Sequence, residues 1–532
     1  MRKFLSLLLL TLLASFSVQA NEWDAVVYQQ IEQSIQVPQI SGKDYLITKF
    51  GARPDASAAD NQKAIQKAID KCAKKGGGRV VVPAGQTFLT AAIHLKSHVD
   101  LHIEEGATLL FAFKPDLYPI VETTWEGLDC FNLSPCIYAN GQTDIAITGK
   151  GVIDGGGSNE AWWPWVGVAH FGWKEGGISQ SREARPRLLR CGEDGVPMRD
   201  EQGQPVRERS FGPQDGLRPQ LVNFYQCQRV LIEDVTLLDS PFWVIHPLRS
   251  TDVTVRRVHI NNAGPNGDGC DPESCDRVLI EDCFFNTGDD CIVIKTTQPD
   301  APCRNITVTN CVLETSCAAI KIGTESHSDF SDLRFSNITI KNTTVGCGLF
   351  VKDGATMERI SFHNISYTYA DKEHQKTSIP MYIDVEKRHD NSRLGRVRDI
   401  SFTNWHIASD VNCVFQSVPE SPIQNVTLSN ITIRAKKEAD RSIRQKSAGS
   451  GNRTAKDNGN ESVLVQYPAW IAFKNAENLT IRDVSVYQDE GAKGIDMSAL
   501  YFENVKEVFT ENIRLFGAAE GGRPLIACKE EA

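Results

Sequence analysis

A nine-residue phrase alternating apolar and polar side chains recurs along this 532-residue chain and restricts its fold more than any other feature. It reads RVLIEDVTL at Arg229–Leu237, DVTVRRVHI at Asp252–Ile260 and RVLIEDCFF at Arg277–Phe285. It continues as NITVTNCVL at Asn305–Leu313, DLRFSNITI at Asp332–Ile340 and RISFHNISY at Arg359–Tyr367, with later copies from Asp399, Asn425, Asn478 and Glu507. Starts at 229, 252, 277, 305 and 332 lie 23, 25, 28 and 27 residues apart. Alternation with period two means strands with one buried face. The polar residue in mid-phrase, usually Asn or Asp, breaks the alternation and predicts a bend between two short strands. A repeat near 25 residues made of strands and turns predicts an all-β, right-handed parallel β-helix, a solenoid whose coils share one core. The leucine framework of leucine-rich repeats is missing.

Solenoids need their open ends covered. Ala64, Ile65, Ala68, Ile69 and Cys72 fall on one face of a helix, Gly76-Gly77-Gly78 stops it, and Val80-Val81-Val82 begins a buried strand, so an N-terminal helical cap is expected. Residues 1–20 combine Arg2-Lys3, an apolar run from Phe4 to Phe16 and Val18-Gln19-Ala20, the pattern of a signal peptide for export to the periplasm or beyond. The expected organisation is an extension at 21–44, a catalytic solenoid at 45–515 with insertions at 155–220 and 434–462, and a tail at 516–532.

The chain carries 57 basic and 67 acidic residues, and losing Arg2 and Lys3 leaves 55 and 67, a net charge of −12. That argues against a nucleic-acid partner; a local basic stripe can still serve an acidic polymer. No further run approaches membrane-spanning length, and a monomer is expected. Many of the 15 cysteines sit at apolar repeat positions, which predicts buried thiols and few disulfides. Asn-x-Ser/Thr triplets such as those at Asn305, Asn337 and Asn425 fall inside the phrase and read as strand chemistry.

Two acidic phrases stand about one coil apart: Asn266-Gly267-Asp268-Gly269-Cys270-Asp271 and Thr287-Gly288-Asp289-Asp290-Cys291. Equivalent positions on stacked strands lie ~4.8 Å apart. Converging carboxylates raise at least one pKa, the condition for an acid and a base in one site, which is what glycoside hydrolysis needs. Turn chemistry or a cation site would place aspartates similarly.

These phrases resemble the active-site signature of glycoside hydrolase family 28, the polygalacturonase family. The likeness extends through Lys49-Phe50-Gly51-Ala52-Arg53-Pro54-Asp55, Gly76-Gly77-Gly78-Arg79-Val80-Val81-Val82-Pro83, Glu104-Glu105-Gly106-Ala107-Thr108-Leu109 and Ser240-Pro241-Phe242-Trp243-Val244-Ile245-His246-Pro247. The resemblance implies an inverting hydrolase of pectic poly- or oligosaccharide, without cofactor or metal. It implies Asp289 as general acid, Asp268 and Asp290 as activators of water, and Asn266 as a binding residue.

The family's His-Gly segment has no match, and Cys317, or alternatively Ala318, falls at the His position. Its Arg-Ile-Lys segment is Phe350-Val351-Lys352, keeping Lys352 but replacing Arg by Phe350. Arg can clamp a substrate carboxylate and Phe cannot, so one sugar beside the cut bond is expected to be something other than galacturonate, as in rhamnogalacturonan. Lys295, Lys321 and Lys352 each end a strand phrase, and stacking would make a basic ladder; a solvated strand edge is the plainer alternative. Tyr382 is expected to line the groove. Trp162, Trp163, Trp165 and Trp173 suit either sugar stacking or packing, and His246 reads as a packed residue. The competing functions are a Ca²⁺-dependent polysaccharide lyase on the same solenoid and a non-catalytic carbohydrate-binding β-helix.

Overall fold

The computed structural model describes residues 28–184, 209–369, 379–388, 391–437 and 467–529. The signal peptide, much of the insertion at 155–220 and nearly all of that at 434–462 lie outside these residues. The chain winds as a right-handed parallel β-helix, whose strands pair coil upon coil in parallel register. Both halves of the nine-residue phrase form ladders, and a third ladder runs through Ile292–Thr296, Ala318–Ser326, Val345–Val351, Ile379–Val385 and Cys413–Gln416.

The phrase works through its first and sixth residues. Both adopt left-handed backbone in copy after copy: Asn305 and Asn310, Asp332 and Asn337, Arg359 and Asn364, Asn425 and Asn430 all have φ between 52° and 60°. Such a conformation costs most residues about 1–2 kcal/mol but suits Asn and Asp, whose short side chains can bond locally. Here the amides also bond between coils: Asn364 Nδ2 donates to Asn337 Oδ1 at 2.7 Å and Asn430 Nδ2 to Asn404 Oδ1 at 2.9 Å. Where the first residue is Arg, it clamps an Asp one coil back, as Arg277 does Asp252. The Asn-x-Ser/Thr triplets are therefore part of the corner.

Inward positions stack in columns. Val230, Val253, Val278, Ile306, Leu333, Ile360, Ile400, Val426 and Leu479 pair in sequence and are at most 1% exposed. Phe362 stacks between Phe335 and Phe402, with ring centroids 4.9 Å apart on either side. Full burial of each such side chain contributes roughly 1.5–3 kcal/mol. Of the described cysteines, all are free and most are buried.

The helix Ala58–Lys74 caps the first coils, burying Ala64, Ile65, Ala68, Ile69 and Cys72 as expected, with Ser57 accepting from Asp60 N–H at its start. Residues 28–39 form a strap along the solenoid rather than a loose extension: Tyr28 reaches Arg359 O, Gln36 N–H reaches Asp252 and Gln39 N–H reaches Asp144. Ile526–Lys529 pairs with Leu500–Glu503, so strand pairing continues into the segment expected to be a tail. No helix among the described residues is long and apolar enough to cross a membrane.

Candidate active site

The third ladder carries the acidic phrases. Its outward row runs Val293, Lys321, Gly348, Tyr382, Val414, Ala472 and Tyr501. Cys270 pairs with Ile292, and Gly269 N–H donates to Asp290 O at 3.0 Å. Asp268 therefore lies level with Asp290, and Asp289 is one residue out of that row. The separation of 21 residues between Asp268 and Asp289 is one short of the register of 22.

Asp290 is held as an anion. Its Oδ1 accepts from Ala318 N–H at 2.8 Å and its Oδ2 from Lys321 Nζ at 2.8 Å. Burial pushes its pKa up, but the charge and hydrogen bond of Lys321 outweigh it, and the net shift is downward. Asp289 goes the other way, raised by burial and then by the Asp290 charge. Asp268 is raised well above the carboxylate range by burial, with Asp271, Asp289 and Asp290 adding repulsion. Adjacent residues thus hold an ionised and a proton-retaining carboxyl group, which is what acid–base catalysis requires.

Thr287 and Thr315 hydroxyls donate to Asp289 O, and Thr315 Oγ1 accepts from Cys317 N–H. These bonds fix the turn that presents the pair. Cys317 lies beside it: one ligand atom each from Asp289, Asp290 and Cys317 fall within 4.8 Å of one another. Their chemistry would suit a soft cation, yet Lys321 already supplies positive charge at Asp290.

Several groups here were missed by sequence reasoning. Asp271, in the same phrase as Asp268, is fully buried, and neither carboxylate oxygen has a hydrogen-bond partner. Arg218, fully buried in the interrupted stretch, donates to Pro241 O, Pro265 O and Asn266 Oδ1 at 2.9, 2.6 and 2.6 Å. Burial pulls its pKa down to about 9. It positions Asn266, whose amide also donates to Glu126 at 3.4 Å. No sequence pattern links Arg218 or Glu126 to Asn266.

Glu126 belongs to an antiparallel hairpin, Ile120–Trp125 with Leu128–Leu133. It lies against the third ladder, with its turn at Gly127 beside Thr297 and Glu325. Thr124 Oγ1 donates to Glu273 at 3.2 Å, Gln298 donates to Asp129 at 2.7 Å, and Trp125 stacks on Phe242 at 5.1 Å. His246 is packed beneath, fully buried, its Nε2 3.0 Å from Glu273 Oε2.

The lysine ladder does not form, nor are these lysines a solvated edge. Lys321 pairs with Val293 and Gly348, so Lys295, two residues past Val293, and Lys352, four past Gly348, are not on its row. Each lysine is buried on its own carboxylates: Lys295 with Glu325 at 3.2 Å, Lys321 with Asp290, and Lys352 with Asp384 at 2.5 Å and Glu386 at 2.6 Å. Phe350 is fully buried, its ring over Gly348 and 5.5 Å from Tyr382, so it offers no face to a sugar. Tyr382 is only 4% exposed and accepts from Gln416 Nε2. Trp162 and Trp165 pack in the core, and Trp163 Nε1 donates to Ser240 O. Trp173 Nε1 donates to Gly177 O.

Residues 200–448 match the glycosyl hydrolases family 28. A solved exopolygalacturonase from Thermotoga maritima is 32% identical with a TM-score of 0.67, covering 77% of this chain and 91% of that one. A family 28 exopolygalacturonase from Yersinia enterocolitica, 20% identical with a TM-score of 0.61 over 88% of this chain and 78% of its own, shares the fold. A probable polygalacturonase of Vitis vinifera is 25% identical over 73% of each chain.

Proposed function

Because the chain belongs to glycosyl hydrolases family 28, we propose that it is a pectin-cleaving glycoside hydrolase in which Asp289 protonates the leaving oxygen and Asp290, with Asp268, activates water. The observation that carries this division of labour is the Lys321–Asp290 ion pair beside Asp289. Asp290 is ready to accept a proton, while Asp289 is biased to keep one until the bond breaks. Asp268, level with Asp290, shares the water. Burial, and then the neighbouring carboxylates, raise its pKa well above the carboxylate range, so it holds the water by hydrogen bonding while Asp290 takes the proton.

Family membership supports a single displacement by water that inverts the configuration, with Asp289 and Asp290 approaching within 4.8 Å, closer than the roughly 6.5–9.5 Å usual for an inverting pair. The test is proton NMR of the first-formed reducing sugar from a pectic oligosaccharide: the inverted anomer is expected, and the retained anomer sinks the scheme. The hairpin, with Glu126 on Asn266 and its turn at Gly127 beside Thr297 and Glu325, stands over the face that carries the aspartates and favours entry of a chain end over passage of a long polymer across the site.

A further inference from the structure

The loop that carries Asp268 is held from outside the ladders. The strand His259–Asn262 ends before it, and pairing resumes where Asp268 O accepts from Val244 N–H at 2.8 Å and Gly269 N–H donates to Asp290 O. Between these points the chain turns through Gly264 to Gly267, with Asn266 at φ 49°. Two side chains from the stretch that interrupts the repeat grip this turn together with the loop one coil back. Trp163 Nε1 donates to Ser240 O at 3.0 Å, and its indole lies so close to Gly264 that a Cβ there would stand 2.5 Å from Nε1. Arg218 Nη1 bridges Pro241 O and Pro265 O, while its Nη2 donates to Asn266 Oδ1 and, at 3.2 Å, to Gln180 Oε1 of the same stretch.

This guanidinium differs from the buried lysines. Lys321 and Lys352 bond to carboxylates, whereas among the described residues the hydrogen bonds of Arg218 all go to neutral oxygens. Burying a cation on neutral partners is costly. What the chain gains is a rigid planar fork that fixes acceptors on three separate segments at once. The other end of the Asn266 amide is also taken, since its Nδ2 donates to Glu126 Oε1 at 3.4 Å. Asn266 is thus tied to the protein at both ends of its side chain, two residues before Asp268.

We propose that Arg218 is a positioning residue for hydrolysis: through Asn266 and Pro265 it fixes the turn from which Asp268 hangs, keeping that carboxyl group level with Asp290. This rests on the hydrolase reading above and makes the interrupting stretch part of the device that aims the water. The side chain of Asn266 then serves the turn, in place of the sugar-binding role that the resemblance implies. A misplacement of about 1 Å costs on the order of 10²-fold in rate, so the effect belongs in kcat.

The test is steady-state kinetics of Arg218→Lys on a pectic oligosaccharide that wild type cleaves. Lysine keeps the charge but lacks the fork. We expect kcat lower by on the order of 10²-fold with KM within severalfold. Asn266→Ala should lose a similar amount, and the double variant no more than either, because both changes act on one turn. A kcat close to that of wild type, a loss confined to KM, or losses that add in the double variant overturns the proposal. Hydrogen exchange reads the same turn without turnover. In Arg218→Lys, amides of residues 264–271 should exchange faster while those of Asp332–Ile340 keep their rate; unchanged exchange at 264–271 counts equally against the proposal. Should Arg218→Lys not fold, Asn266→Ala carries both measurements with the same expected and contrary results. The hydrolase reading fails separately, if the wild-type protein releases no reducing sugar from any pectic oligosaccharide.

Discussion

Lys321 Nζ lies 2.8 Å from Asp290 Oδ2, and both side chains are withdrawn from solvent. This pair sets the ionisation of the site, because without it four neighbouring carboxyl groups would be balanced by Lys295 and the more distant, buried Arg218.

Lys321→Met tests that statement. A lowered carboxylate pKa contributes stability above the unfolded-state value, about 3.9, and loses it as pH falls through the folded-state value. The variant should therefore be less stable than wild type at pH 7 by about 3–5 kcal/mol, with the gap narrowing below about pH 4. Urea unfolding at the two pH values measures it, and an equal gap at both would contradict the assignment. The acid limb of kcat/KM should also move to higher pH, since Asp290 then protonates more readily.

Asp268→Asn should separate function from stability. The wild-type carboxyl is raised by burial and neighbouring acids. Such a group contributes stability below its unfolded pKa and loses it as pH rises through the folded value, so at pH 7–8 ionised Asp268 is a burden. The amide removes it. Turnover should fall by about 10²–10⁴, while stability at pH 8 rises. A destabilised variant at pH 8 would contradict this.

The corners give a third prediction. Asn364 has φ 56° and donates to Asn337. Asn364→Ala should cost about 1–2 kcal/mol from the left-handed backbone. Asn364→Gly, which adopts that conformation freely, should cost less. Thermal unfolding of the two variants distinguishes them, and equal losses would assign the effect to the lost amide bond alone.

Much of this was legible from residues and some was not. Arg359 and Asn364 stand at fixed places in a repeated phrase, and a repeat exposes any position whose backbone is unusual. The helix burying Ile65 and Ile69 was legible because helical period and glycine stop agree. Asp289 and Asp290 were legible because adjacent acids are costly without purpose. The lysines were misplaced because phrase matching aligns the ends of the phrases, whereas the ladder sets Lys321 opposite Val293 and Gly348, and the two-residue register change after Ile294 is equally invisible to it. Arg218 and Glu126 reach Asn266 from segments outside the repeat, where sequence distance carries no spatial meaning. Phe350 was assigned outward by its place in a motif, whereas Gly348 leaves the space into which its ring folds.

Product release tests the hairpin. With Glu126 on Asn266 and the hairpin over the face that carries the aspartates, digestion should yield one short product from the first time point, with little early loss of polymer viscosity. A ladder of intermediate oligosaccharides at low conversion would show that chains pass across the site.

The most direct test of the account is turnover by Asp289→Asn on the pectic oligosaccharide that wild type cleaves, measured with binding of the same ligand. The account predicts kcat lower by about 10²–10⁴, the contribution of a general acid, with affinity retained within severalfold. Unchanged turnover, or a loss confined to binding, would contradict Asp289 as the acid.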